Sequence, residues 1–332
     1  MTECKANERL IIRHNHYFTP HQGRRTEYAA VIKKSKDFSV CDDYIIEIAY
    51  KRGQTRYDDG LTIKNFIEME REFDFSPELI TDWYCDETDV IVSGEVEYLN
   101  DNSPSIEAYN ELTGGISVYD KDSTQEYGTI GAFFKTTDNS TYLLSNYHVL
   151  LDTGGKLNDP IVHPSRADAN TSSSKYKVIG EIYWKEDISE VGFNIMDAAI
   201  AKICDNINVS EYKYTRCNGI KFLSIGTPKI GQSIKKCGRS TGLTFGEIRS
   251  INATVNVSNN DNKFHLYKNQ ILTTYMKNEK GDSGSILVTE DGIVVGLLFA
   301  RTKRRGSFAN NINVIINKVI IDKPELKFNE FI

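Results

Sequence analysis

Proline and glycine are sparse, 7 and 23 in 332 residues, which excludes a collagen-like or low-complexity polymer. Long apolar runs are missing too. Between Met1 and Asn15 only Leu10-Ile11-Ile12 is continuously apolar, against the ~7–15 residues of a signal-peptide core, and nothing downstream reaches the ~18–20 of a membrane span. There is no basic surplus: Lys+Arg 40 against Asp+Glu 46 gives a net charge of −6. No surface is therefore set up for nucleic acid or an anionic membrane, and neither is expected as a partner. The six cysteines (Cys4, Cys41, Cys85, Cys204, Cys217, Cys237) form no C-x-x-C pair. That argues against a zinc knuckle or a thioredoxin-like centre, and a reduced, cytoplasmic setting is expected, with no metal or cofactor. No repeat of ~20–50 residues occurs, so solenoids and propellers are excluded.

What is present suits an ordinary soluble globular protein of about two units. Residues 1–110 read as a small α+β unit with a regulatory or targeting role. Tyr28 to Lys33, Asp43 to Tyr50 and Asp89 to Tyr98 are rich in Val, Ile and Tyr, as strands are, while Ile63, Phe66, Ile67 and Met69 to Phe73 share a helical spacing. The Asn100-Asp101-Asn102-Ser103-Pro104-Ser105 cluster marks a loop between units. From 111 to 332 the chain becomes short strands punctuated by Gly, Asn and Asp, with one helical stretch at Ile312 to Ile321. Such a series predicts an all-β barrel or sandwich rather than βαβ units. Its length fits two six-stranded antiparallel barrels, about 112–204 and 215–321, with the seam between Cys204 and Lys221.

The strongest local signal is Gly281-Asp282-Ser283-Gly284-Ser285. Glycines around a serine permit a tight turn whose N–H groups converge, as an oxyanion hole requires, although the same string also suits a surface hairpin. Ser283 needs a base. Among His14, His16, His21, His148, His163 and His265, only His148 follows an apolar strand that breaks into a turn, Leu143 to Leu150. A lone histidine is more often structural than catalytic, so a partner matters. Asp197 opens the apolar run Ala198 to Ile203, where an unpaired carboxylate would be costly; the plainer reading is a strand cap. The chain order His148, Asp197, Ser283 is that of chymotrypsin-type enzymes. An α/β-hydrolase is excluded, because no histidine follows Ser283 and Ser285 replaces the second glycine of G-x-S-x-G.

From Gly114 to Ile320 the chain resembles the trypsin-like serine peptidases of the chymotrypsin fold, and within them the bacterial and plant narrow-leaf-type branch. Five blocks in order carry the resemblance: Gly128 to Phe134, Leu144 to Leu150, Asp197 to Ala201, Lys236 to Thr244, and Gly281 to Ser285 with Val295 to Ala300. It implies a serine endopeptidase that cuts a protein or peptide substrate through an acyl-enzyme, with His148 as base, Asp197 orienting it, Ser283 as nucleophile, and the N–H groups of Gly281 and Ser283 as oxyanion hole. It also implies Lys277 at the pocket floor with Phe299 and Ala300 on a wall. A lysine there disfavours basic substrate side chains, unless it points to solvent. In zymogen-type relatives the acid before the nucleophile, here Asp282, pairs with a freshly cut amine. Here Asp282 has another partner, or the enzyme is latent until something acts through the N-terminal unit. The rival reading is an inactive protease-like binding module.

Three other features read as decoys. His14-Asn15-His16 is a chance match to a nuclease triplet. Gly226 to Ser233 has Gln232 where a phosphate-binding loop needs lysine. Arg239 and the Arg301 to Arg305 run read as solvated basic faces.

Overall fold

The computed structural model describes residues 7, 26–33, 44–50, 88–92, 96–98, 108–122, 126–151, 155–172, 175–210, 215–217, 220, 222, 224–258, 264–302, 306–326 and 328–331. The predicted helical segment at 63–73, the loop at 100–105, His14, His16, His21 and Lys303 to Arg305 lie outside these residues.

The chain is mostly β. Four strands come first: β1 (Thr26–Lys33), β2 (Tyr44–Tyr50), β3 (Thr88–Val92) and β4 (Val96–Tyr98). The next group is β5 (Glu111–Leu112), β6 (Ser117–Asp120), β7 (Gly128–Thr129), β8 (Ala132–Thr136), β9 (Thr141–Ser145), β10 (Pro160–His163), β11 (Lys177–Lys185), β12 (Phe193–Asn194), β13 (Ala199–Ile203) and β14 (Asn208–Val209). Helix α1 (Tyr147–Leu150) follows β9, and α2 (Arg166–Ser172) follows β10. The last group is β15 (Ser224–Ile225), β16 (Ser233–Gly238), β17 (Gly242–Ser258), β18 (Phe264–Thr273), β19 (Ile286–Thr289), β20 (Ile293–Thr302) and β21 (Ser307–Asn311), then helix α3 (Ile312–Asp322) and β22 (Phe328–Phe331).

These strands make the two barrel units that the sequence predicts, one on each side of the seam, and each sheet is larger than six strands. In the first, β22 from the chain's end pairs with β8. In the second, β1 pairs antiparallel with β17 and brings β2 and β3 with it, while β4 pairs antiparallel with β20.

Alternation along the strands sets the packing, because successive side chains of a strand point to opposite faces. In β13, Ala199, Ala201 and Ile203 face the interior of the first barrel with Leu143 and Phe133, whereas Ile200 and Ala198, just before the strand, join Leu144 and Phe134 in a second cluster. That second cluster also takes Ile286, Val288, Val294 and Leu297 from the other barrel and Ile312, Ile315 and Val319 from α3. It is the apolar seam between barrels. The interior of the second barrel holds Ile234, Ile248, Ile271, Leu287, Val295 and Leu298. Strands buried on both faces must read as continuous apolar runs, which is why β13, β19 and β20 stand out in the sequence.

The expectation of reduced cysteines needs correction at one place. Cys217 and Cys237 are bonded to each other, with Cα atoms 5.9 Å apart. The segment entering the second barrel runs back over β16, so residues 20 positions apart in sequence meet. No such proximity can be read from their spacing.

Candidate active site

β9 ends at Ser145 and the chain turns at once into α1, which presents His148 at the barrel rim. The His148 Nδ1 lies 2.6 Å from Asp197 Oδ2, and the His148 backbone N–H donates to Asp197 Oδ1 at 3.2 Å. A carboxylate only accepts, so the proton sits on Nδ1 and the Nε2 lone pair is left as the basic position. The imidazole keeps 14% of its side-chain surface exposed while Asp197 is buried.

The backbone of Asp197 is fixed from both barrels. Its carbonyl accepts from Asn146 Nδ2 at 2.8 Å and Asn310 Nδ2 at 3.0 Å, and its N–H donates to Asn310 Oδ1 at 2.9 Å. Asn310 belongs to β21 of the second barrel, and no sequence signal singles it out. Its amide crosses the seam to seat the carboxylate under His148.

Ser283 lies in the turn between Tyr275 and β19. Its carbonyl accepts from Thr129 N–H at 2.8 Å, and its Oγ donates to Phe299 O at 3.3 Å. Gly281 and Gly284 both have positive φ, +92° and +93°, a region where a side chain is strained. Gly284 also packs against Thr129 O and the Oγ of Ser145. Ser145 is three residues before His148, so the Ser283 turn is seated on the strand that leads into α1 and His148.

Asp282, beside Ser283, has a partner of its own. Lys236 Nζ lies 2.9 Å from its Oδ2, with both side chains fully buried. The carboxylate also accepts from the N–H groups of Ser240 (3.0 Å), Thr241 (3.1 Å) and Glu279 (3.0 Å), and from Thr241 Oγ1 (2.6 Å). Burial pulls the Lys236 ammonium below the ordinary lysine value, and the Asp282 carboxylate opposes that pull. This is the alternative to a cut N-terminal amine.

Arg239 is not a solvated basic face. It is 2% exposed and binds Asp168 of α2 with two N–H groups, Nε to Oδ2 at 2.9 Å and Nη2 to Oδ1, with the Tyr127 ring 3.6 Å from its guanidinium carbon. Asp168 takes a further bond from Ser117 Oγ at 2.6 Å. Sequence spacing gives no hint that α2 supplies this acid.

Lys277 is exposed and adopts a left-handed backbone with φ 51°, while its neighbour Asn278 is buried. Asn278 Nδ2 donates to Ser307 Oγ, and its carbonyl accepts from Arg301 Nη1 at 2.7 Å. Phe299 and Ala300 are fully buried, and Phe299 packs edge-on against Tyr267. The remaining described histidines are elsewhere: His265 in β18, and His163 at the end of β10, buried, with burial drawing its pKa down to about 4. A cavity of about 260 Å³ beside His163, lined also by Tyr109, Lys175, Tyr176 and Ile207, includes none of the predicted site residues. Among the described residues no cluster of His, Cys, Asp and Glu is arranged to hold a metal ion, and no helix is long and apolar enough to cross a membrane.

No family model and no curated protein matches the chain. Solved structures to which it is similar include a Nocardiopsis protease (16% identity, TM-score 0.45, 63% of this chain and 96% of that one) and Thermobifida fusca protease A (20%, 0.44, 63% and 95%). The Rv3671c protease of M. tuberculosis in its active form is another (14%, 0.41, 69% and 91%). These neighbours are serine proteases of the chymotrypsin fold.

Proposed function

We propose that the chain is a serine endopeptidase working through an acyl-enzyme, with His148, Asp197 and Ser283 as its triad. The observation that carries this is the short His148–Asp197 contact at the rim on which the Ser283 turn is seated. Asp197 fixes the tautomer and stabilises the imidazolium. Ser283 Oγ attacks the substrate carbonyl as its proton passes to His148 Nε2, and that proton then goes to the departing amine. A water molecule repeats the sequence to release the acid and restore Ser283. The N–H groups of Gly281 and Ser283 hold the developing oxyanion. The bond from Ser283 Oγ to Phe299 O must give way to one with His148 as substrate enters, since apo sites commonly tighten on binding.

Within the trypsin-like peptidases we place the chain nearest the bacterial and plant narrow-leaf-type branch, on the Lys236 to Thr244 block. Phe299 and Ala300 form one wall of the substrate pocket, whereas Lys277, the expected floor residue, is exposed and so does not bar basic side chains. A peptide library in which bonds after Arg and Lys go uncut would return Lys277 to the floor.

Latency also takes a specific form. With Asp282 paired to Lys236, no new N-terminus is required. Instead, β4 occupies the edge of β20, Tyr98 opposite Ala300 and Glu97 opposite Arg301, directly after the residue that Ser283 Oγ contacts. An extended substrate adds to a sheet edge in the same way, so residues 1–110 act as a regulatory unit that an activating partner displaces. The proposed setting is cytoplasmic, without nucleic acid or membrane partners.

The rival reading, an inactive binding module, is favoured by the Ser283 Oγ contact to Phe299 O. A fluorophosphonate separates the two. Wild type, or the Glu97→Pro variant that disrupts β4 pairing, should be labelled, and Ser283→Ala should not. Absence of labelling in both of the first two would leave the binding module standing.

A further inference from the structure

An oxyanion hole made of two backbone N–H groups is only as good as the orientation of their peptide planes. In a trans peptide the carbonyl points opposite to the N–H that follows it, so whatever holds the carbonyl aims the donor. The N–H of Ser283 belongs to the Asp282–Ser283 peptide, whose carbonyl accepts from Ser285 N–H at 3.0 Å and Ser285 Oγ at 2.5 Å. That clamp is local, supplied by the turn itself. The N–H of Gly281 belongs to the Lys280–Gly281 peptide, and its carbonyl accepts from the hydroxyl of Ser240, forty residues away in sequence.

We infer that Ser240 is the positioning residue of the oxyanion hole, holding the Lys280 carbonyl outward so that the Gly281 N–H faces the reacting carbonyl. The inference rests on the hydrolase reading above. Glycine at 281 makes the restraint necessary: the same freedom that allows φ +92° makes rotation of the preceding peptide cheap. Ser240 is itself restrained. Its Oγ accepts from Arg239 Nη1 at 3.1 Å, which commits its own proton to Lys280 O. Arg239 is held in turn by Asp168 on the first barrel. Thr129 completes the frame from the same side, with its Oγ1 donating to Gly281 O at 2.6 Å and accepting from Arg239 N–H at 2.9 Å. A relay thus runs from α2 of the first barrel to one donor of the hole, and reading Arg239 and Ser240 as surface residues would miss it.

The test is the labelling kinetics of a fluorophosphonate, whose phosphoryl oxygen uses the same hole, in the Glu97→Pro background. Ser240→Ala should lower the maximal labelling rate by roughly 10- to 100-fold, less than the ~10²–10³ for outright loss of a donor, with the half-saturating concentration within about threefold. Ser240→Thr, which keeps the hydroxyl, should restore the rate, whereas Ser240→Val, of the same shape, should not. The Thr and Val pair decides the matter if the alanine variant folds poorly, because a packing role would affect both alike. A crystal structure of Ser240→Val should show the Lys280 carbonyl turned from its wild-type direction. Wild-type rates in Ser240→Ala and Ser240→Val overturn the inference, as does a change confined to half-saturation. If the Glu97→Pro parent itself takes no label, the hydrolase reading fails first and the relay falls with it.

Discussion

On the first barrel His148 is fixed by one carboxylate, with both Asp197 oxygens engaged by the same residue's Nδ1 and backbone N–H. On the second barrel the turn that carries Ser283, the proposed nucleophile, is held by its backbone carbonyls: Lys280 by Ser240, Gly281 and Ser283 by Thr129, Asp282 by Ser285. The difference follows from what each half supplies. A base needs one ring nitrogen aimed and the other occupied, which a single side chain achieves. A pair of oxyanion donors needs two peptide planes fixed, and planes are fixed only by restraining several successive carbonyls. The first half should therefore fail locally when its one contact is altered, and the second should fail as a unit.

Asp197→Asn tests the first half and carries the largest expected effect. The amide can offer its NH₂ to Nδ1, which puts the proton on Nε2 and leaves no base for Ser283. The labelling rate should fall by about 10⁴, while the thermal midpoint moves little because the Asn146 and Asn310 bonds are made to backbone atoms of residue 197. A large drop in midpoint with a modest rate loss would reverse the contrast between the halves.

Lys236→Met tests the second half. It leaves Asp282 buried without a counter-charge, at a cost of about 3–5 kcal/mol in denaturant unfolding. Because four hydrogen bonds to the same carboxylate fix the turn, labelling should be lost with stability. Changing Asp282 to Asn in the same chain should recover part of the stability. A Lys236→Met protein of wild-type stability would show that the hydrogen bonds alone hold the turn.

This division also explains what the sequence makes legible. β13, β19 and β20 are apolar on both faces and declare themselves, and His148, Asp197 and Ser283 each sit at a strand end with a recognisable neighbourhood. The supporting groups have no such mark. Asn310, Asp168 and Ser240 look like ordinary polar residues until the barrels come together, because their partners lie on elements remote in sequence. Arg239 misleads outright: an arginine beside Gly238 resembles a surface turn, and only the carboxylate brought in by α2 makes its burial tolerable. β10 is hidden too, since Pro160 to His163 is short, opens on a proline and is followed by another. The Cys217–Cys237 pairing depends on the path of the segment between barrels, which periodicity does not describe.

The smallest expected effect concerns His163, which lies in the first barrel outside the proposed triad and shows how that half depends on proton state. Its Nδ1–H donates to Ser117 O at 2.6 Å and its Nε2 accepts from Tyr109 N–H at 3.0 Å, so both bonds require the neutral ring. Burial holds its pKa near about 4, with the Ser117 bond and Asp168 pulling the other way. A folded-state value below the unfolded ~6.5 means that the unfolded chain takes up the proton first as pH falls. The contribution is complete above pH ~6.5, declines between ~6.5 and ~4, and levels off below that. Unfolding free energies from urea titrations at pH 7.5 and 4.5 should show wild type losing roughly 2–3 kcal/mol more than His163→Gln over this interval. Equal losses would mean that the ring is protonated in the folded protein, which would set its Nε2–H against the Tyr109 N–H and break the bond that ties residue 109 to β10.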